Sequence, residues 1–219
     1  MAEISAITAI VSRQMNLQRP FQVVAPTLDG DVLTLLARAD RALTGRAIAR
    51  ESGASHGGVQ RALEHLVAEG IVTRARAGRA FLYSLNRDHL AARWIEGLAS
   101  LRLELIARLR ERVAEWEVPA DAVVLFGSAA RNEAGRGSDI DLLVIRPVTV
   151  DYDDPVWREQ VRGLESAAAT WTGNDTRVLE YAADEIAGQE AVFDIAASEG
   201  IDLHGSLRRL LRTARRRRA

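Results

Sequence analysis

The spacing of apolar residues alternates along the chain between helical and strand periods. Residues 1–30 mix short apolar stretches with Pro20 and Pro26 and read as an irregular arm. From Asp31, Val32, Leu35 and Leu36 mark one face of a helix. A second helix starts after Thr44, a good N-cap, and stops at Gly53, where a left-handed C-cap fits. Ser55 caps a third, in which Val59, Ala62, Leu63, Leu66 and Val67 hold the i, i+3, i+4, i+7, i+8 pattern until Gly70. Two strand-like runs follow, 71–74 and 81–85, with a tip at Ala77 and Gly78. Phe81, Tyr83 and Leu85 alternate as a half-buried strand requires.

Residues 88–117 read as one long amphipathic helix closed by Pro119, with Leu90, Trp94, Leu98, Leu101, Leu105, Leu109, Val113 and Trp116 along its stripe. That stripe is taken as core, with a homodimer seam as the rarer alternative. Beyond it, 123–126 and 139–145 form buried strands, 156–171 a helix, 176–181 a third strand and 189–198 a further helix. Strands mixed with helices make this half α/β.

Three helices followed by a hairpin is the layout of a winged helix-turn-helix, and the segment LTGRAIARESGASHGGVQRALEHLVAEGIVTRARAGRAFLYSLNRDH resembles one of the MarR/ArsR-like kind. The expected organisation is an arm over 1–30, a winged helix-turn-helix over 31–89, a connecting helix over 90–118, an α/β domain over 119–207 and an Arg-rich tail over 208–219. The resemblance implies duplex DNA as partner. The third helix would read the major groove through Ser55, His56, Gln60 and Arg61, with Arg74, Arg76 and Arg79 on the wing. The alternative is a protein-interaction module whose arginines are a solvated face.

Composition narrows the classes. Cysteine is absent, which excludes disulfides, thiolate metal sites and cysteine nucleophiles. No apolar run reaches the ~18 residues of a membrane span, and no signal-peptide pattern is seen, so the expectation is a cytoplasmic protein without a membrane partner. All 29 basic residues are arginine, and their distribution is uneven. Residues 1–87 carry 11 Arg against 7 acids, residues 88–207 carry 11 against 23, and residues 208–219 carry 7 against none. A mildly basic front, an acidic body and a basic end suggest two domains with different partners. The basic end is read either as a nucleic-acid contact or as a disordered, solubilising tail.

The densest chemistry lies in VVLFGSAARNEAGRGSDIDLLVI, residues 123–145. Asp139 and Asp141 are two apart on a strand, so both carboxylates project from one face. Side by side they repel unless a cation lies between them, and hard oxygen ligands favour Mg²⁺ or Mn²⁺. Gly127 admits a phosphate close to the backbone, and the Ser128 hydroxyl can hydrogen-bond it. By chance this joint spacing would occur about once in several hundred chains of this size.

GSAARNEAGRGSDIDL resembles the nucleotidyltransferase superfamily related to DNA polymerase β, and its minimal, antitoxin-like members in particular. Gly127, Ser128, Arg131, Ser138 and Asp139 all stand in the matching pattern, and Asn132 replaces a frequent Gly. The resemblance implies a mixed sheet and two-metal transfer of a nucleoside monophosphate from a nucleoside triphosphate to a hydroxyl acceptor, such as a toxin or an RNA. Gly127, Ser128, Arg131 and Ser138 would bind nucleotide, and Asp139 and Asp141 would ligate metal. A third carboxylate is expected on a later strand. Glu180 in TRVLEY is assigned that place, with Asp175 and Asp184 as rivals. The fold class expected is therefore α+β, a winged helix followed by a nucleotidyltransferase α/β domain. Its activity is transfer, or alternatively nucleotide sensing without catalysis by a transcriptional regulator.

Overall fold

The computed structural model describes residues 14–187 and 190–218; residues 1–13 of the expected arm lie outside them. The chain divides into two compact units, one over Asn16–Glu104 and one from Leu105 onward that also includes Gln14 and Met15.

The first unit opens with a 3₁₀ turn, Pro20–Val23, in which Phe21 is buried. Helix α1, Leu28–Arg38, starts one turn earlier than the apolar spacing predicts, with Asp29 and Asp31 in its first turn, where the helix dipole favours acids. Asp31 is buried and accepts from Arg19 Nε at 2.7 Å, which explains why a charge is tolerated there. Strand β1 (Leu43–Thr44), helix α2 (Gly45–Ser52) and helix α3 (His56–Ala68) follow. Thr44 and Ser55 cap α2 and α3 with their hydroxyls, and Gly53 ends α2 at φ +67°. Strands β2 (Val72–Ala77) and β3 (Ala80–Leu85) form the hairpin, and β1 pairs with β3 to give the antiparallel order β1-β3-β2. Val32, Leu36, Ile48, Val59, Leu63, Leu66, Tyr83 and Leu85 make the core.

The single helix expected over 88–117 is two, α4 (Ala92–Ala99) and α5 (Leu101–Ala114). Arg38 explains the break. Its Nε and Nη2 donate to the Ala99 carbonyl at 3.0 and 2.8 Å, so that carbonyl is taken by a side chain from 61 positions away. The stripe also divides. Leu105, Leu109 and Val113 are core, but Leu90 and Trp94 are exposed, and α4 buries Ala92, Ile95 and Ala99 instead.

The second unit contains a four-stranded sheet of order β6-β5-β4-β7. Strand β4 is Ala122–Phe126, followed directly by the short helix α6, Gly127–Arg131, and then by β5, Ile140–Arg146. Helix α7, Pro155–Thr172, is capped by Asp154 and crosses over to β6, Thr176–Ala182. A 3₁₀ turn (Glu185–Ala187), helix α8 (Glu190–Glu199), strand β7 (Ile201–Gly205) and helix α9 (Leu207–Arg218) complete it. The sheet is mixed: β4 runs antiparallel to β5 and β7, and β5 runs parallel to β6. Val124, Leu143 and Ile145 pack with Phe193 of α8 and with Leu207 and Leu211 of α9. The opposite face, with Ile140, Leu142 and Val144, is the side of α7, whose Trp157 and Leu164 are fully buried.

The Arg-rich end is corrected as well. Residues 207–218 are helical, and Leu207 and Leu211 belong to the core. A helix whose apolar edge is buried is a structural part of the domain, and the disordered-tail reading fails.

Candidate functional site

Two largely buried hydrophobic strands carry the site. Antiparallel pairing sets Phe126, the last residue of β4, opposite Asp141 in β5. The chain then turns at Gly127, with φ +69°, a conformation that favours glycine. A β-carbon at Gly127 would also meet Asp141 Oδ2, so the carboxylate would have to give way. The Gly-Ser turn and the second aspartate are therefore in direct contact. Ser128 is half-buried in α6. That helix ends at Asn132 with φ +61°, a left-handed position that Asn accepts more readily than most residues.

Asp139 lies one residue before β5, beside Asp141. Burial first, and then the Asp139 charge, push the Asp141 carboxyl above its ordinary value, while Arg177 pulls it back. Arg177 is the third member of this cluster. In the parallel register it stands opposite Asp141, and its Nη2 donates to Asp139 Oδ2 at 2.9 Å.

Glu180 does not belong to the cluster, and its expected catalytic and metal-binding role is corrected. It pairs with Val144, on the side of the sheet covered by α7. There Oε1 accepts from Arg146 Nε at 3.1 Å and Trp157 Nε1 at 2.9 Å, and Oε2 accepts from Arg158 Nη1 at 3.0 Å. On the Asp face, β6 presents Arg177, Leu179 and Tyr181 instead. Of the rivals, Asp175 is exposed on a groove with Arg162, Glu165 and Arg177, and Asp184 is exposed in the turn after β6.

The remaining nucleotide candidates have partners of their own. Arg131 donates to Glu133 Oε2 at 2.8 Å and Glu199 Oε2 at 3.0 Å, hydrogen bonds that hold its guanidinium even more firmly charged. The Ser138 hydroxyl accepts from Gly135 N at 3.0 Å, closing the loop before β5. That loop is tied down by Asn174, a buried amide that donates to the carbonyls of Ser138 at 2.8 Å and Met15 at 3.2 Å. Neither Asn174 nor Arg177 stands out in the sequence. The alternation Arg177, Leu179, Tyr181 is visible there, but not which face of the sheet it shares.

The donor set fits one divalent cation better than two. Mg²⁺ is commonly held by one or two carboxylates plus substrate phosphates, which Asp139 and Asp141 satisfy. Among the described residues no three His, Cys, Asp or Glu side chains group as a metal site. Beside the pair stands the Arg177 guanidinium, not a further carboxylate.

In the first unit the residues expected to read the groove, Ser55, His56, Gln60 and Arg61, lie at the start of α3. Ser55 is its N-cap, with Oγ accepting from Gly58 N at 3.2 Å, and His56 and Arg61 are exposed. Gln60 donates to Glu64 Oε1 at 3.1 Å. A groove of ≈ 580 Å³ runs from α2 and α3 to the wing, lined among others by Arg46, His56, Gln60 and Arg79. On the wing Arg74 stacks over the Phe81 ring at 4.6 Å, and Arg76 donates to the Gly78 carbonyl at 3.3 Å. Arg46 escapes a reading of the sequence, because its place depends on the packing of α2 against the hairpin.

No helix among the described residues is long and apolar enough to cross a membrane. Residues 106–193 match the family model described as nucleotidyltransferase domain, and residues 26–80 match that of the MarR family. No curated protein matches the chain. Among solved structures, a mutant of the toxin-antitoxin MntA-HpeT aligns over 51% of this chain and 82% of its own, at 15% identity and a TM-score of 0.38. A toxin-antitoxin with AMP-PNP aligns over 52% and 81%, at 19% identity and a TM-score of 0.34. Human N-acetylserotonin methyltransferase aligns over 45% and 30%, at 20% identity and a TM-score of 0.27. The chain thus joins a winged helix of the MarR family to a nucleotidyltransferase domain.

Proposed function

We propose that the chain is a cytoplasmic DNA-binding regulator whose nucleotidyltransferase domain binds a nucleoside triphosphate without transferring it. Gly127 and Ser128 would hold the phosphates, and Asp139 and Asp141 a single Mg²⁺ or Mn²⁺ ion, which supplies charge neutralisation for the triphosphate. His56, Gln60 and Arg61 would face the major groove of duplex DNA, with Arg74, Arg76 and Arg79 on its backbone. The observation that carries the reading is the pairing of Arg177 with Asp139, together with the removal of Glu180 to the other face of the sheet. Two-metal transfer relies on carboxylates around both ions, and here the β6 residue beside the aspartate pair is a cation.

A second reading, transfer of a nucleoside monophosphate to a protein or RNA hydroxyl, is favoured by the intact Gly127, Ser128, Asp139 and Asp141. One experiment separates the two. The full chain is incubated with each α-labelled nucleoside triphosphate, Mg²⁺ and cell lysate. The regulator reading expects saturable, reversible retention of label and no covalent product. A labelled protein or RNA that survives denaturation establishes transfer instead.

A further inference from the structure

We propose that Arg177 is a chain-borne counter-cation that fills one of two cation places at the Asp139–Asp141 pair, so that the site takes a single divalent ion with its triphosphate. The inference rests on the triphosphate-binding reading above. Asp139 and Asp141 bring two negative charges together, and such a pair demands compensation. Arg177 meets half of that demand. It is the direct strand neighbour of Asp141, and its Nη2 lies 2.9 Å from Asp139 Oδ2. A guanidinium cannot be deprotonated in a protein, so this charge is permanent. One negative charge is left over, which suits one ion whose remaining ligands are phosphates and water. A second ion would have to displace Arg177 from Asp139 and then tolerate its charge nearby.

Among the described residues no third carboxylate groups with the pair. Glu180 faces away and is fixed by three donors, and on the Asp face β6 continues with Leu179 and Tyr181. Arg177 is also placed to do more than neutralise. Its side chain is 70% exposed while Asp139 is 21% exposed, so most of its fork remains open to a phosphate while one nitrogen holds the carboxylate.

The test uses the full chain and Mn²⁺ counted by electron paramagnetic resonance. With the β,γ-imido analogue of ATP saturating, the wild type should bind one Mn²⁺ per chain. Without nucleotide, Arg177→Leu should raise Mn²⁺ affinity at least threefold, and Arg177→Lys, which keeps the charge, should match the wild type. Because Arg177 is largely exposed, the variants should keep the wild-type circular dichroism spectrum. Two Mn²⁺ per wild-type chain, or an unchanged affinity in Arg177→Leu, would overturn the proposal. Failure of the analogue to bind at any Mn²⁺ concentration would overturn the triphosphate reading, while the nucleotide-free titration still decides the role of Arg177.

Discussion

Glu180 offers the sharpest test of the corrected site. Its side chain is 9% exposed, and those of Arg146 and Arg158 are 13% and 29% exposed. Glu180→Ala removes the shared acceptor of two guanidiniums and of the Trp157 indole. Removing one partner of a buried ion pair leaves the other charge uncompensated and costs about 3–5 kcal/mol. Arg158 can relax outward to water, so the lower end of that range is expected. Glu180→Gln keeps one acceptor oxygen and loses the charge, for about 1.5–3 kcal/mol, the worth of hydrogen bonds to a charged group. Urea unfolding followed by tryptophan fluorescence reads the second unit directly, because Trp157 is bonded to Glu180 and lies edge-on to Trp116 at 5.4 Å. At about 1–3 kcal/mol/M, the Ala variant should lower the midpoint by at least ~1 M with little change in slope. Replacing Glu180, Arg146 and Arg158 together by apolar residues should recover much of the loss, since no buried charge is left unpaired. The folded Glu180→Gln protein should bind triphosphate as the wild type does. A Glu180→Ala variant of native stability that has lost triphosphate binding would refute this account.

Four further outcomes are expected. Asp141 has a carboxyl raised above its ordinary 3.8, so ionisation opposes folding: the relief is complete below that value and is lost as pH climbs past the raised value. Asp141→Asn should therefore raise the melting temperature at pH 7, with a gain that shrinks towards pH 4; a gain independent of pH would exclude this cause. Replacing Arg74, Arg76 and Arg79 by Ala should weaken binding to every duplex and flatten the salt dependence by about 0.9 for each phosphate no longer neutralised, read by gel shifts at several salt concentrations. Replacing Gln60 should instead alter sequence preference at similar salt slope. Leu207 is fully buried, so Leu207→Ala should cost about 2–5 kcal/mol in urea; a surface-like effect below ~0.5 kcal/mol would return α9 to the status of a loose tail.

How much can be read from the chain depends on how local each determinant is. Gly127 to Asp141 is legible because both strands and the turn lie within one short stretch. The parity of β6 is legible too: alternation groups Glu180 with Val178, and Leu179 with Tyr181. What stays hidden is the register. Whether Glu180 or Arg177 shares a face with Asp141 is decided by how β6 docks on β5 after the α7 crossover, and no spacing within TRVLEY encodes that. The break between α4 and α5 is hidden for a similar reason, since the Arg38 side chain that takes the Ala99 carbonyl comes from another helix. Strand β7 escapes because Asp202 and His204 leave it little apolar signal, as suits an edge strand. Helix α9, by contrast, is visible in the sequence. Leu207, Leu210, Leu211 and Ala214 keep a helical interval, but the arginines around them mask it as a tail.

The buried amide of Asn174 has a consequence for how the protein is made. Its Oδ1 accepts from Met15 N at 2.8 Å and its Nδ2 donates to Met15 O, across 159 positions of chain. A ribosome adding ~5–20 residues per second needs about 8–30 s to pass from one to the other. All of Asn16–Glu104 emerges in that interval and can fold while Met15 still waits for its partner. The winged helix is thus born into a chain whose second unit must be closed from both ends. A ribosome stalled before Asn174 would present the whole winged-helix unit beside a nucleotidyltransferase domain still open.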